Sequence, residues 1–277
     1  REAQKQHDEA FANGDPTRAP LPFHIGDDVR IEGSSLSPNG RWLLLVTSPK
    51  GHAGGREGKL QRFVTDSGYE EQETERTRVG RNDPAPQSLL LLDLARHAQH
   101  ALAFDPLPGI DDDPLAAVRA ENAALRRERG IDADEGSTAD AKAGRGKRGA
   151  ERAARPVRIV SDAEDGGGGG IAWSADGARL AIQIRAIDNK DRWIASVDFE
   201  HAKLVPQHRL TDPAWINWNF NEFGWRSDNR TLWYVSEESG YSHLYTVAAS
   251  GGAARALTSG KWEVSQPRLS ADGSRFL

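Results

Sequence analysis

The 277-residue chain has a formal net charge of −5, with 37% hydrophobic and 28% charged residues. That acidic balance gives no field that would gather nucleic acid or an anionic membrane over the whole surface, and the length suits one large all-β domain or two smaller ones. The absence of cysteine excludes disulfides and thiolate metal sites and leaves the compartment open between cytoplasm and periplasm.

Residues 1–22 precede the first strand signal and are read as an N-terminal segment. The chain has no methionine, begins at Arg1 and stops at Phe276-Leu277 as a new apolar strand starts, so a piece of a longer protein is expected. No apolar run reaches the roughly 18–20 residues of a membrane span. The longest, Leu89 to Leu92, is strand-sized.

One local pattern recurs from residue 23 onward: a short apolar lead, Ser beside a small residue or Pro, Asp or Asn beside Gly, then an alternating apolar strand. Its copies are Leu36-Ser37-Pro38-Asn39-Gly40 before Trp42 to Val46, and Trp173-Ser174-Ala175-Asp176-Gly177 before Leu180 to Ile184. Trp225-Arg226-Ser227-Asp228-Asn229 precedes Leu232 to Val235, and Leu269-Ser270-Ala271-Asp272-Gly273 precedes Phe276-Leu277. Asp-Gly and Asn-Gly supply the positive φ that tight hairpins require, so each copy predicts a hairpin.

A second hairpin follows two of the copies. It runs from Leu244–Val247 through Ser250-Gly251-Gly252 to Ala256-Leu257-Thr258, and from Trp193–Val197 to Arg209-Leu210-Thr211. Two hairpins make a four-stranded unit. The turns recur after 52 residues, Gly177 to Asn229, and after 44, Asn229 to Gly273. This period predicts an all-β fold of four-stranded antiparallel propeller blades, present in part, over a β-sandwich of unrelated hairpins.

The 137 residues from Gly40 to Gly177 interrupt the period. Residues 23–110 are read as the first blade or blades, with a strand at Ser88–Leu94. Residues 111–165 are read as a charged, low-complexity insertion: Ala116 to Arg129 suits a short charged helix, and 139–155 has the composition of a disordered segment. Gly166 to Gly170 is read as a flexible joint, and 166–277 as further blades.

Catalytic and cofactor motifs are missing from this sequence. It has no Gly-x-Ser-x-Gly elbow and no phosphate loop, because Gly166 to Gly170 lacks the Lys-Ser/Thr ending and precedes a strand. His97 and His100 flank a predicted turn, His201 and His208 are read as loop residues, and Asp111-Asp112-Asp113 is read as a solvated acidic turn; none has metal-ligand spacing. No catalytic residue, metal ligand or cofactor is therefore assigned.

Between Asp212 and Tyr245 stand Trp215, Trp218, Phe220, Phe223, Trp225, Trp233, Tyr234, Tyr241 and Tyr245, most of them explicable as blade packing. Within Ser236 to Tyr245, Glu237-Glu238 follows a strand, with Gly240 at the predicted turn, and offers two carboxylates to a substrate amine. Glu237, Glu238, Tyr241, Trp215 and Trp218 are the candidate substrate-binding residues.

At these residues the chain resembles the dipeptidyl peptidase IV branch of the prolyl oligopeptidase family of serine peptidases. The motif Ser-x-Glu-x-Gly-Tyr-x-His-Leu-Tyr is matched by Ser236, Glu238, Gly240, Tyr241, His243, Leu244 and Tyr245. A following Leu-Thr-x-Gly-x-Trp-Glu-Val segment is matched by Leu257, Thr258, Gly260, Trp262, Glu263 and Val264. The resemblance implies an N-terminal propeller that gates peptide access to a C-terminal α/β-hydrolase domain of the same protein.

The amine-holding Glu pair of aminopeptidase members has no match, because the glycine run Gly166 to Gly170 stands where it is expected. The resemblance therefore implies a peptidase without implying dipeptide release, and the pair's role is not carried onto Glu237-Glu238. Two other readings stay open: a free-standing protein-binding propeller of the periplasmic type, and a carbohydrate-binding propeller that stacks sugars on Trp215 and Trp218.

Overall fold

A computed structural model describes residues 2–12, 22–55, 58–75, 82–130, 155–161 and 169–277. After helix α1 (Glu2–Ala12), strands β1 (Val29–Leu36), β2 (Trp42–Pro49), β5 (Ser88–Asp93) and β6 (Ala98–Leu102) form one antiparallel sheet in that order. A hairpin of β3 (Gly58–Arg62) and β4 (Glu71–Glu75) is inserted between the second and third of these strands. The first blade is thus whole, and the long gap in the repeat is an insertion inside it plus a second segment after it.

That second segment contains helix α2 (Ala116–Glu128), the charged helix expected from composition, which buries none of its side chains. Residues 139–154 of the stretch read as disordered lie outside the described residues, and its last residue, Arg155, is buried. The second blade then joins β7 (Val157–Ile159), β8 (Ile171–Trp173), β9 (Leu180–Ala186), β10 (Asp191–Asp198) and β11 (Lys203–Thr211). Strands β7 and β8 pair with successive halves of β9 and act as one interrupted innermost strand.

Two sequence expectations are corrected here. Residues 157–159, read within the charged insertion, belong to the blade; three residues are too few to stand out as a strand. Gly170, read as part of a flexible joint, is held in the sheet by bonds from its amide to the Val160 carbonyl and from the Gln183 amide to its own carbonyl, at 2.9 and 2.8 Å. A Cβ at Gly170 would lie 2.3 Å from the Val160 oxygen, so close backbone approach demands the glycine. Gly166 to Gly168 lie outside the described residues.

The third blade comprises β12 (Phe223–Trp225), β13 (Thr231–Ser236), β14 (His243–Ala248) and β15 (Arg255–Ala256) in sequence order. A bridge between Leu269 and Phe276 begins the fourth unit. First strands of successive blades adjoin one another: Trp173 Nε1 donates to Ser35 Oγ at 2.9 Å, and Trp225 Nε1 donates to the Ala172 carbonyl at 3.0 Å. The chain is a partial propeller.

Burial follows from that stacking. In β9 and β10, Leu180, Ile182, Ile184, Trp193 and Ala195 pack on Trp42, Leu44, Leu89 and Leu91 of the first blade. Ala181 and Ile194 point the other way, onto Phe223, Trp225, Leu232 and Tyr234 of the third. A middle blade covered on both faces reads as continuously apolar, and each fully buried aliphatic side chain contributes roughly 1.5–3 kcal/mol.

The repeat is explained by its turns. Asn39, Asp176 and Asp272 each accept the backbone amide two residues on, while Ser37, Ser174 and Ser270 accept the amide of the returning strand. Gly40, Gly177 and Gly273 take φ of 70°, 67° and 67°. Where Arg226 replaces the serine, Asp228 instead accepts both the amide and the hydroxyl of Thr231.

Alternation of antiparallel strands puts these tight turns on one face of the blades. The opposite face receives the β3–β4 hairpin, the α2 segment, the 212–222 loop between blades two and three, and the 237–242 turn.

Candidate functional site

All five candidate residues lie on the insertion face. Trp215 and Trp218 belong to the 212–222 loop, which begins with Asp212 Oδ1 accepting the amides of Ala214 and Trp215 at 2.7 and 2.9 Å. This local turn presents Trp215 outward at 65% exposure. Trp218 is half-buried, with the Arg185 guanidinium 5.4 Å from its ring centroid. Glu237, Glu238 and Tyr241 occupy the turn after β13, where Gly240 takes a φ of 91°.

The loop and the turn meet. Asn217 Nδ2 donates to Glu237 Oε1 at 3.4 Å, so the structure brings the tryptophan loop and the carboxylate pair together. Burial raises the pKa of both carboxyls above the usual carboxylate value, opposed at Glu237 by the Asn217 bond and at Glu238 by a bond from Ser236. Tyr241, 37% exposed, stands at the outer end of the same turn.

Beneath this surface lie two polar side chains from blade two. Arg192, on β10, is 1% exposed and donates to the carbonyls of Phe220 and Val235 at 2.5 and 2.8 Å and to Asn221 Oδ1 at 3.2 Å. Among the described residues it forms no ion pair, and burial lowers its pKa to about 10.

His208 is not in a loop, as its neighbours suggested; it lies within β11, its side chain 7% exposed. Its ring stacks on Tyr234 at 4.4 Å, with Nε2 3.2 Å from Ser236 Oγ and Nδ1 3.5 Å from Glu238 Oε2. Burial, then the Arg192 charge, depresses its pKa to about 3, so the ring is neutral across the physiological range. His201 likewise has a carboxylate partner, Asp198 at 2.7 Å.

Asp111 and Asp112 are exposed, as the solvated-turn reading expects, but two of the run's carboxylates are paired. Asp112 pairs with Arg209 at 3.2 Å, and Asp113 pairs with Arg119. Arg209 also holds Asp191 at 2.7 Å, and Asp191 holds Arg155 at 2.6 Å. Arg155 completes the network on Asp188. These ion pairs fasten the ends of the α2 segment to blade two. Sequence spacing carries no trace of them, since 36 residues separate Arg155 from Asp191.

The two motif segments form one unit. His243 lies within hydrogen-bonding distance of Thr258 Oγ1 and the Gly260 carbonyl, and the Ser242 amide donates to Glu263 Oε2 at 2.7 Å. Trp262 meets the His243 ring edge-on at 5.3 Å. Among the described residues no cluster of three or more His, Asp or Glu is arranged to hold a metal ion, and no helix is long and apolar enough to cross a membrane.

Residues 156–275 match the family model described as the dipeptidyl peptidase IV (DPP IV) N-terminal region. No curated protein matches the chain. Among solved structures, dipeptidyl peptidase 4 of Porphyromonas gingivalis is 18% identical with a TM-score of 0.50, over 87% of this chain and 26% of that one. A putative dipeptidyl aminopeptidase IV of Bacteroides ovatus is 12% identical with a TM-score of 0.49, over 88% of this chain and 31% of that one. The chain thus spans about a quarter of the length of the Porphyromonas protein.

Proposed function

We propose, from the match of residues 156–275 to the model of the dipeptidyl peptidase IV N-terminal region, that this chain is the substrate-gating propeller of a serine peptidase acting on peptides. A companion α/β-hydrolase domain of the same protein supplies the nucleophile, for which the sequence 1–277 offers no elbow motif. The propeller selects which peptides reach that domain.

The observation that carries this reading is the asymmetry of the faces. One is closed by tight turns; the other gathers the insertions together with Trp215, Trp218, Glu237, Glu238 and Tyr241. Exposed aromatic side chains bury peptide side chains at small entropic cost, and partly desolvated carboxylates gain from a cationic peptide group. The charged helix α2 belongs to an insertion on this same face.

The test uses the intact parent protein with fluorogenic peptides, comparing it with Trp215→Ala and Glu238→Gln. Cleavage with KM raised in both variants and kcat nearly unchanged supports the reading. A parent protein that cleaves no peptide overturns it and leaves a binding propeller.

A further inference from the structure

The loop and the turn that carry the candidate surface touch directly through the Asn217–Glu237 bond, at 3.4 Å. A single hydrogen bond of that length between half-exposed groups is too weak to fix their relative position. Blade two supplies a stronger tie. The Arg192 guanidinium bonds the end of the loop through Phe220 and Asn221, and the end of β13 through Val235. Asn221 in turn donates to the Trp218 carbonyl. One residue further along β13, His208 meets Ser236, whose Oγ accepts the Glu238 amide at 3.3 Å.

These side chains are a poor investment for stability alone. A fully buried guanidinium with three neutral acceptors and no carboxylate carries a desolvation penalty that an apolar residue of similar length avoids. Its planar fork instead does what an apolar residue cannot, since two of its nitrogens reach separate chain segments in fixed directions. The neutral His208 ring extends the same grip to the carboxylate turn by stacking and hydrogen bonding.

We propose that Arg192 and His208 are positioning residues: reaching across from blade two, they hold the 212–222 loop and the 237–242 turn as one unit, and so set the peptide affinity of the surface that lies above them. The affinity part rests on the peptidase reading; the coupling of the two segments does not.

Hydrogen exchange on the intact parent protein, read together with steady-state peptide kinetics, tests both parts in Arg192→Met, Arg192→Lys and His208→Phe. Loss of the fork in Arg192→Met is expected to speed exchange in both segments by a common factor of about tenfold while β2 and β9 stay protected, and to raise KM with kcat nearly unchanged. Arg192→Lys, which keeps the charge without the fork, falls between Met and the wild type. His208→Phe, which keeps the stack on Tyr234, speeds exchange mainly in the turn.

Faster exchange in only one segment in Arg192→Met, or unchanged exchange in both, overturns the coupling. Common loosening with an unaltered KM overturns the effect on affinity. Should Arg192→Met not fold, the lysine variant decides the same question. A parent protein without peptidase activity sinks the functional reading, while the exchange data still decide the coupling.

Discussion

The side-chain amide of Asn39 donates to the backbone carbonyl of Asp176 at 3.3 Å, joining the first turns of two blades that stand 137 residues apart in sequence. Gly177 is wedged beside this contact: a Cβ there would lie 2.7 Å from the Asn39 backbone nitrogen. Gly40 has a comparable φ, 70° against 67°, but open space around it. Both Gly→Ala variants are expected to lose about 1–2 kcal/mol to left-handed strain. Gly177→Ala should lose clearly more, because backbone must move. Urea unfolding of the two variants checks this, and equal losses would refute the inter-blade packing.

Asp191 stands between Arg155 and Arg209 with its side chain 3% exposed. Replacing it with Ala leaves Arg155 with Asp188 alone and Arg209 with Asp112 alone, for which a loss of about 1–3 kcal/mol is expected. Adding Arg155→Met removes a guanidinium whose buried partner is already gone, so the double variant should lose less than the sum of the two single losses. Denaturant midpoints of the three variants decide it; strict additivity would show that the network does not act as one.

Stability should rise with pH between about 3 and 6.5 on account of His208, whose pKa falls from 6.5 to about 3 on folding. In that window the unfolded chain binds the extra proton, so the slope is positive, and the total is a few kcal/mol. Glu237 and Glu238 act in the opposite sense, since their raised pKa values favour the folded state at low pH and that contribution fades as pH rises through them. In His208→Phe the positive slope above about pH 4.5 should disappear, while the part below it, from carboxylates such as Asp228 and Asp272 whose pKa values are lowered in the folded chain, should remain, as read from guanidinium unfolding at several pH values.

Trp215→Ala should leave stability within about 0.5 kcal/mol, since the side chain is 65% exposed. Trp193→Ala, at a site with no exposed surface, should lose about 3–5 kcal/mol. Thermal unfolding separates them, and a large loss at Trp215 would mean that its exposed surface is covered by packing.

The blades were legible because their turns are chemical: serine, an Asx side chain and a positive-φ residue each have a bond or a torsion to satisfy, so they recur in the sequence. The interrupted innermost strand of blade two was not legible, because β7 and β8 are three residues each and separated by glycine-rich chain. Strand β11 was recognised only at its end, since Pro206 and an irregular register near Ala195 break its alternation. The carboxylate turn and the tryptophan loop were found from composition and motif. Arg192, His208 and the Arg155 network were missed because their partners come from other blades or distant segments, and contacts across a seam leave no local spacing.

The measurement that bears most directly on the central claim is labelling of the intact parent protein with a serine-directed phosphonate probe, followed by mapping of the modified residue and a peptide-cleavage assay. The account predicts one labelled serine outside residues 1–277, with loss of peptide cleavage on labelling. A parent protein that neither reacts nor cleaves peptides would contradict it.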